Sequence, residues 1–250
     1  MECRAPGCSS DQLVDSHIVP AGFARWIKEQ GSEPVLTITQ DRTSAKKQNG
    51  MFVRDILCGL HDGQLGRELD EKVLDLSKRF TARSVDLGDY WRVDDIDPMI
   101  IVRWIVSTFW RASVSERPEW EGVDLGEFED RAGEVAFGAD ITVLPELSME
   151  VGRFRNQLHG TSFEADKIVT MPWTIRHNGH VGYMMNVGGF RILMKFDALS
   201  HPHPANVFDV VRQNRLSGRW HLIEKTFDFE TMTKFVDASY RRDEAKGIKR

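Results

Sequence analysis

The residues best suited to chemistry lie in two short stretches, CRAPGCSSDQLVDSHIVP (residues 3–20) and VRDILCGLHD (residues 53–62). Cys3 and Cys8 form Cys-x4-Cys, and Cys58 and His61 form Cys-x2-His. Thiolate and imidazole are the ligands of four-coordinate, tetrahedral zinc, which chains commonly supply as closely spaced pairs. The set uses every cysteine of the protein. Three is an odd number for a disulfide framework, so a metal is the better use for the cluster. The spacing predicts a structural zinc ion (Zn2+) held by Cys3, Cys8, Cys58 and His61, provided that the intervening chain folds back. The bland alternative makes Cys58 a buried strand residue, His61 a surface residue and Cys3 and Cys8 incidental.

The elements around these residues read as a small α+β module over residues 1–80. Pro6-Gly7 supplies a turn for the first knuckle. LVDSHIVP is strand-like and ends at Pro20. AGFARWIKEQG reads as a short helix with Phe23, Trp26 and Ile27 on one face and Gly31 as its stop. EPVLTITQ is strand-like, Asn49-Gly50 marks a turn, and MFVRDILC is a strand leading into Cys58. From Gly63 to about Phe80, Leu65, Leu69, Val73 and Leu76 recur at helical spacing. Residues 81–160 form a helical region, opened by an acidic, loop-like connection over 81–97. Asp97-Pro98 starts a helix that is apolar nearly all round, apart from Arg103 and Arg111. Residues 161–250 alternate apolar and polar side chains between Asn-Gly and Gly-Gly turns, the pattern of an antiparallel β-meander, followed by a C-terminal helix. The expected class is α+β: zinc-bound module, central helices, C-terminal antiparallel sheet.

Composition fits a globular protein of 250 residues, 41% hydrophobic and 28% charged. The start of the chain is polar and unlike a secretory signal, and the longest apolar run, MIIVRWIVSTFW, is too short to span a bilayer and contains Arg103. The expected location is cytoplasmic, without membrane contact. The net charge of −5 is unevenly spread: residues 81–150 hold 6 Lys and Arg against 16 Asp and Glu, whereas residues 151–250 hold 16 against 10. The C-terminal segment can thus supply the basic face that a nucleic-acid binder needs.

DSHIVP, lying between two zinc knuckles, resembles the strand motif of the HNH, or His-Me finger, nucleases. In that family a β-hairpin and a helix form a ββα-metal unit, the strand histidine activates water, and a divalent metal binds the scissile phosphate. Phosphodiester hydrolysis needs these parts: a base to make hydroxide and a Lewis acid for the charge building on phosphate and leaving oxygen. SHIVPAGFARWIKE, QNG, ILCGLHDGQLGRELDEKV and IVSTFWRASVS are also similar to segments of a bacterial group described as HNH-like. That group shares Ser-His-Ile-Ile-Pro, Leu-Cys-x2-Cys-Asp/Glu and Trp-Arg-Ala-Ser, and the similarity runs through about residue 130.

The resemblance implies His17 as general base, Cys3, Cys8, Cys58 and His61 as structural zinc ligands, and Asp62 at the position of the last catalytic-metal ligand, for Mg2+ or Mn2+. It implies nucleic acid as partner, DNA more than RNA. His61 stands where that group more often has cysteine. Two further departures bear on catalysis. Ser16 stands where the family commonly has an Asp or His ligand, and the mid-motif asparagine has only Asn49 as candidate. Asp15 faces away from Ser16 on the strand, so the metal would rely on Asp62 with Glu68 or Asp70. The expected function is a metal-dependent endonuclease. The alternative is a non-catalytic zinc module that binds nucleic acid or a protein partner, and a third reading places a ligand pocket in the meander.

Other candidates are weaker. Arg111, Ser113, Ser115 and Arg117 can bind phosphate or simply satisfy a helix end and its acidic neighbours. His201 and His203 in HPHP lack a third ligand nearby and read as a surface loop, and His177 and His180 flank a turn. Trp173 and Trp220 can stack bases on an exposed sheet or belong to the core.

Overall fold

A computed structural model describes residues 1–29, 37–38, 43–44, 52–115, 123–155, 166, 168–170, 172–177, 180–196 and 209–226. The protein is mixed α+β, with helices against a large, mostly antiparallel sheet.

The N-terminal part starts with β1 (Leu13–His17) and α1 (Ala21–Glu29), which buries Phe23, Ala24 and Ile27. A two-residue pair, β2 (Thr37–Ile38) and β3 (Thr43–Ser44), precedes β4 (Phe52–Cys58). Strands β1 and β4 pair antiparallel, with Leu13 opposite Cys58 and His17 opposite Phe52. Between Val14↔Leu57 and Ser16↔Val53 one residue of β1 faces three of β4. Two extra residues bulge a strand but leave its side-chain alternation intact beyond the bulge. The chain then runs from β4 into α2 (Gly59–Leu65), a π-helical segment (Gly66–Asp70) and α3 (Glu71–Lys78). Leu65, Leu69, Val73 and Leu76 are all buried. Their first two steps of four residues overshoot an α-helical turn, and the wider π turn absorbs that drift.

After the short α4 (Phe80–Arg83) the chain enters the sheet. Residues 81–97, expected as a loop-like connection, hold the hairpin of β5 (Ser84–Asp86) and β6 (Tyr90–Val93). The Asp86 carboxylate accepts the Gly88 N–H at 2.9 Å, and the Leu87 N–H donates to the Tyr90 carbonyl at 2.8 Å. Acidic residues here are turn-makers, and the strand signal lies in buried Trp91 and Val93 alternating with more exposed neighbours. The remaining strands come later: β7 (Ser148–Phe154), β8 (Trp173–His177), β9 (His180–Val187), β10 (Phe190–Lys195) and β11 (Leu216–His221). The order across the sheet is β5-β6-β11-β7-β10-β9-β8. Every pairing is antiparallel except β11 with β7, so the meander of the C-terminal region is joined, through β11, to strands from the middle of the chain. The Gly188-Gly189 turn between β9 and β10 has positive φ at both residues, 56° and 84°, as a two-residue hairpin turn demands. Asn178-Gly179, Asn49-Gly50, Gly31 and residues 227–250 lie outside the described residues.

Helix α5 (Pro98–Ser113) fills the centre. Asp97 caps it by accepting the Met99 N–H at 2.9 Å, ahead of Pro98. Its residues from Ile101 to Ala112 are buried except Arg103. One continuous core joins α5, the N-terminal module and the inner face of the sheet. Arg103 and Arg111 do not interrupt the helix. Arg103 reaches Glu68 at 3.1 Å and the carbonyls of Val135 and Ala136, the C-terminal end of α6 (Glu129–Ala136). On β7, the central strand of the sheet, Arg153 lies 4.1 Å over Phe80 and 4.7 Å over Phe190 and donates to the Gly188 carbonyl at 2.9 Å. Burial lowers its pKa to about 10, which leaves it charged at neutral pH. Among the described residues no helix is long and apolar enough to cross a membrane.

On β11, His221 Nε2 lies 3.7 Å from Glu150. Burial first, then the charges of Arg191 and Arg219, lower its pKa from 6.5 to about 4. The unfolded chain takes up this proton below about pH 6.5 and the native state resists it. The stability contributed by the neutral ring is therefore complete above pH 6.5 and is lost as pH falls towards 4. The loss is on the order of 3 kcal/mol. In urea titrations between pH 7 and 4, His221→Gln is expected to lose less stability on acidification than the parent.

Candidate metal centre

The first knuckle is built by a β-turn. The Cys8 N–H donates to the Ala5 carbonyl at 3.1 Å, Pro6 and Gly7 occupy the corners, and Gly7 has φ 73°. That is the type II pattern, which needs a residue tolerant of positive φ at its third position. The Cys3 N–H donates to the Ser10 carbonyl at 2.8 Å, and the Arg4 N–H to the Ile56 carbonyl at 2.8 Å. These bonds lay the knuckle against the end of β4. The second knuckle forms where β4 becomes α2: Cys58 is the last strand residue and the N-cap position of the helix, and His61 sits in the first turn. A three-residue step on a helix places both side chains on one side.

The ligand atoms of Cys3, Cys8, Cys58 and His61 all lie within 4.8 Å of one another. His61 Nδ1 is 3.6 Å from Cys3 Sγ and 3.2 Å from Cys58 Sγ. Tetrahedral zinc–sulfur and zinc–nitrogen bonds would set sulfur and nitrogen about 3.5 Å apart. The group can therefore hold a metal ion such as zinc. Cys3 and Cys58 are buried, Cys8 and His61 half-buried, and the His61 ring stands edge-on to Phe137 at 5.3 Å. Phe137 in turn meets Trp110 of α5 at 5.6 Å, so the imidazole is braced by the core.

The thiols differ in acidity. The backbone N–H of His61 leads the groups that lower the Cys58 pKa, to about 6, against the opposing effect of burial. Burial pushes Cys3 up to about 11, although the Cys58 N–H donates to its sulfur at 3.3 Å. Without a metal, Cys58 is largely a thiolate at neutral pH and Cys3 a thiol. Loading must displace the Cys3 proton, so metal affinity weakens as pH falls.

Around His17 the picture is different. His17 ends β1 and is half-buried, and Ser16 beside it points into the core, fully buried, with no hydrogen-bond partner for its hydroxyl among the described residues. Asp62 is half-buried in the first turn of α2. Glu68 is engaged by Arg103, and Asp70 by Arg111 at 3.3 Å. Burial raises the Asp70 pKa; the Arg111 charge opposes that rise and the nearby Asp62 adds to it. Among the described residues His, Cys, Asp and Glu side chains gather as potential metal ligands only at the Cys3 cluster.

Arg111 is 1% exposed, and its guanidinium is taken up inside the fold by the Ser107 carbonyl of its own helix, by Asp70 and by the His17 carbonyl rather than by solvent. Ser113 is used internally: it donates to Glu129, and its hydroxyl accepts the Leu125 N–H at 3.0 Å. Ser115 is buried. Trp173 is buried, and Trp220 carries Arg155 at 4.9 Å over its ring while donating to Asp86. Neither indole is an open stacking platform. Asn49, Arg117, His201 and His203 lie outside the described residues, as do the side chains of His177 and His180. Half-buried His221 and buried Arg153 are not signalled in the sequence, since their burial depends on strand neighbours distant in the chain. Comparison of the chain with protein-family models, curated proteins and solved structures gives no match.

The ligand geometry predicts about one metal ion per chain by elemental analysis. Cys58→Ala is expected to abolish this content and to lower Tm by roughly 10 °C, as loss of a ligand bound far above its dissociation constant should.

Proposed function

We propose that the chain is a zinc-stabilised, HNH-like, metal-dependent endonuclease in which His17 is the general base for hydrolysis of nucleic-acid phosphodiesters, DNA more than RNA. The observation that carries this reading is the succession of elements around His17. Its strand pairs antiparallel with β4, and β4 runs without a break into α2. The four-ligand group ties the end of that pair opposite His17, where Leu13 faces Cys58. A β-strand pair followed by a helix, with a histidine on the first strand, is the arrangement the family resemblance implies. The donor set of three thiols and one imidazole suits zinc.

His17 is half-buried, so its imidazole has both solvent access and protein contact. A neutral imidazole can accept a proton from water near pH 7. Asp62, in the first turn of α2, is the carboxylate offered to a catalytic cation. Mg2+ keeps several waters and is commonly held by one or two carboxylates together with substrate phosphate. When bound there, such a cation would supply Lewis acidity towards the phosphate.

A second reading is favoured by a specific observation: Ser16 points inward, and Glu68 and Asp70 are taken by arginines. On that reading the module is non-catalytic and binds nucleic acid or a protein partner.

The two readings separate in an assay on plasmid DNA and single-stranded RNA with Mg2+ or Mn2+. His17→Ala is expected to lose activity by about 100-fold or more, the usual contribution of a general base, while keeping its zinc content and circular dichroism. Equal cutting by both proteins would sink the catalytic role of His17. Absence of cutting by the parent, with retained binding in a gel-shift assay, would favour the second reading.

A further inference from the structure

The Arg111 guanidinium is enclosed by three acceptors on three elements. Its Nε donates to the Ser107 carbonyl within α5 at 3.3 Å, its Nη2 to Asp70 Oδ1 in the π segment at 3.3 Å, and its Nη1 to the main-chain carbonyl of His17 at 2.6 Å. The shortest of these contacts falls on the peptide of the histidine. His17 is also the last residue of the β1–β4 ladder, so strand pairing ceases to hold the chain where that carbonyl emerges. Ile18 and Val19, which follow it, are buried.

A buried ion pair is a poor source of net stability, because desolvating both charges offsets most of their attraction. What this pair does provide is a fixed direction. A guanidinium held at Nε by one helix carbonyl and at Nη2 by one carboxylate has its plane fixed, and so presents its Nη1 donors in a fixed direction. We propose that the buried Arg111–Asp70 pair is a positioning device that locks the His17 peptide, and with it the imidazole direction, from the far side of the core. This rests on the reading of His17 as general base. It assigns Asp70 a role other than metal ligation, and makes Arg111 a residue that acts through His17 without touching substrate. The sensitivity is large, because misplacing a reacting group by about 1 Å costs on the order of 100-fold in rate.

The test uses the full-length, zinc-loaded protein. Removing Arg111 alone strands a buried carboxylate, so the informative variant is Arg111→Met combined with Asp70→Leu, which removes both charges and refills the space. This double variant is expected to keep its zinc and a Tm close to that of the parent. Its His17 ring signals in 1H–13C NMR, assigned with His17→Ala, should broaden or split. On plasmid DNA kcat should fall by tenfold to about 100-fold with KM unchanged. Unaltered ring signals overturn the proposal, whether or not kcat changes. If the parent cuts no nucleic acid, the ring signals alone decide: their disturbance upholds the positioning role while the nuclease reading fails. Should the double variant not fold, Arg111→Lys, which retains charge but loses the fork, is expected to disturb the same signals, and parent-like signals in it count against the proposal.

Discussion

A sixteen-residue helix with no polar face exists only where something encloses it, and α5 sets that requirement for the whole molecule. The inner face of the seven-stranded sheet covers one side. The N-terminal module and α6 cover others, and one core runs through all of them. Enclosure has a cost: any charge carried by the helix must find its partner inside. Arg111 does so at Asp70, while Arg103, the less buried exception, meets the more exposed Glu68; both carboxylates lie in the π-helical segment. The widening of that helix thus does two things. It keeps Leu65 and Leu69 facing the core and brings two carboxylates to the arginines of α5.

The ligand cluster solves a different problem, at the edge of this core. Residues 3–10 have little apolar surface to bury, and a loop of that kind holds its shape by hydrogen bonds and cross-links. Here backbone bonds to Ser10 and Ile56 place the loop, and the four ligand atoms converge where strand passes into helix. The asymmetry between an acidic Cys58 and a reluctant Cys3 follows from position: one thiol sits where helix N–H groups point, the other lies beneath apolar neighbours.

How much of this was legible in the sequence varies with the distance over which each feature is decided. The turn at Pro6-Gly7, the Asp97-Pro98 cap and the Gly188-Gly189 hairpin are written within a few residues and were readable. The ligand set was readable because its chemistry is specific and its pairs are local. The strands β5 and β6 were missed because their acidic turn residues outweighed a short alternation around Trp91. The parallel seam between β11 and β7 carries no local signal, since it depends on which edge a returning chain finds. The destinations of Arg103 and Arg111 were equally hidden: their carboxylate partners lie 35 and 41 residues away in the chain.

The separation between the two knuckles also bears on biosynthesis. Cys3 and Cys8 leave the ribosome first and can offer only two sulfurs. The other ligands lie fifty residues further on, beyond β1 and α1, at the end of β4 and the start of α2. Closing a loop of that length carries an entropic cost of about 3–4 kcal/mol before constants are added, which the pairing of β1 with β4 meets first. A nascent chain interrupted before Cys58 therefore holds two thiols and no four-ligand group. A metal held by all four ligands thus requires a chain whose first strand pair is in register.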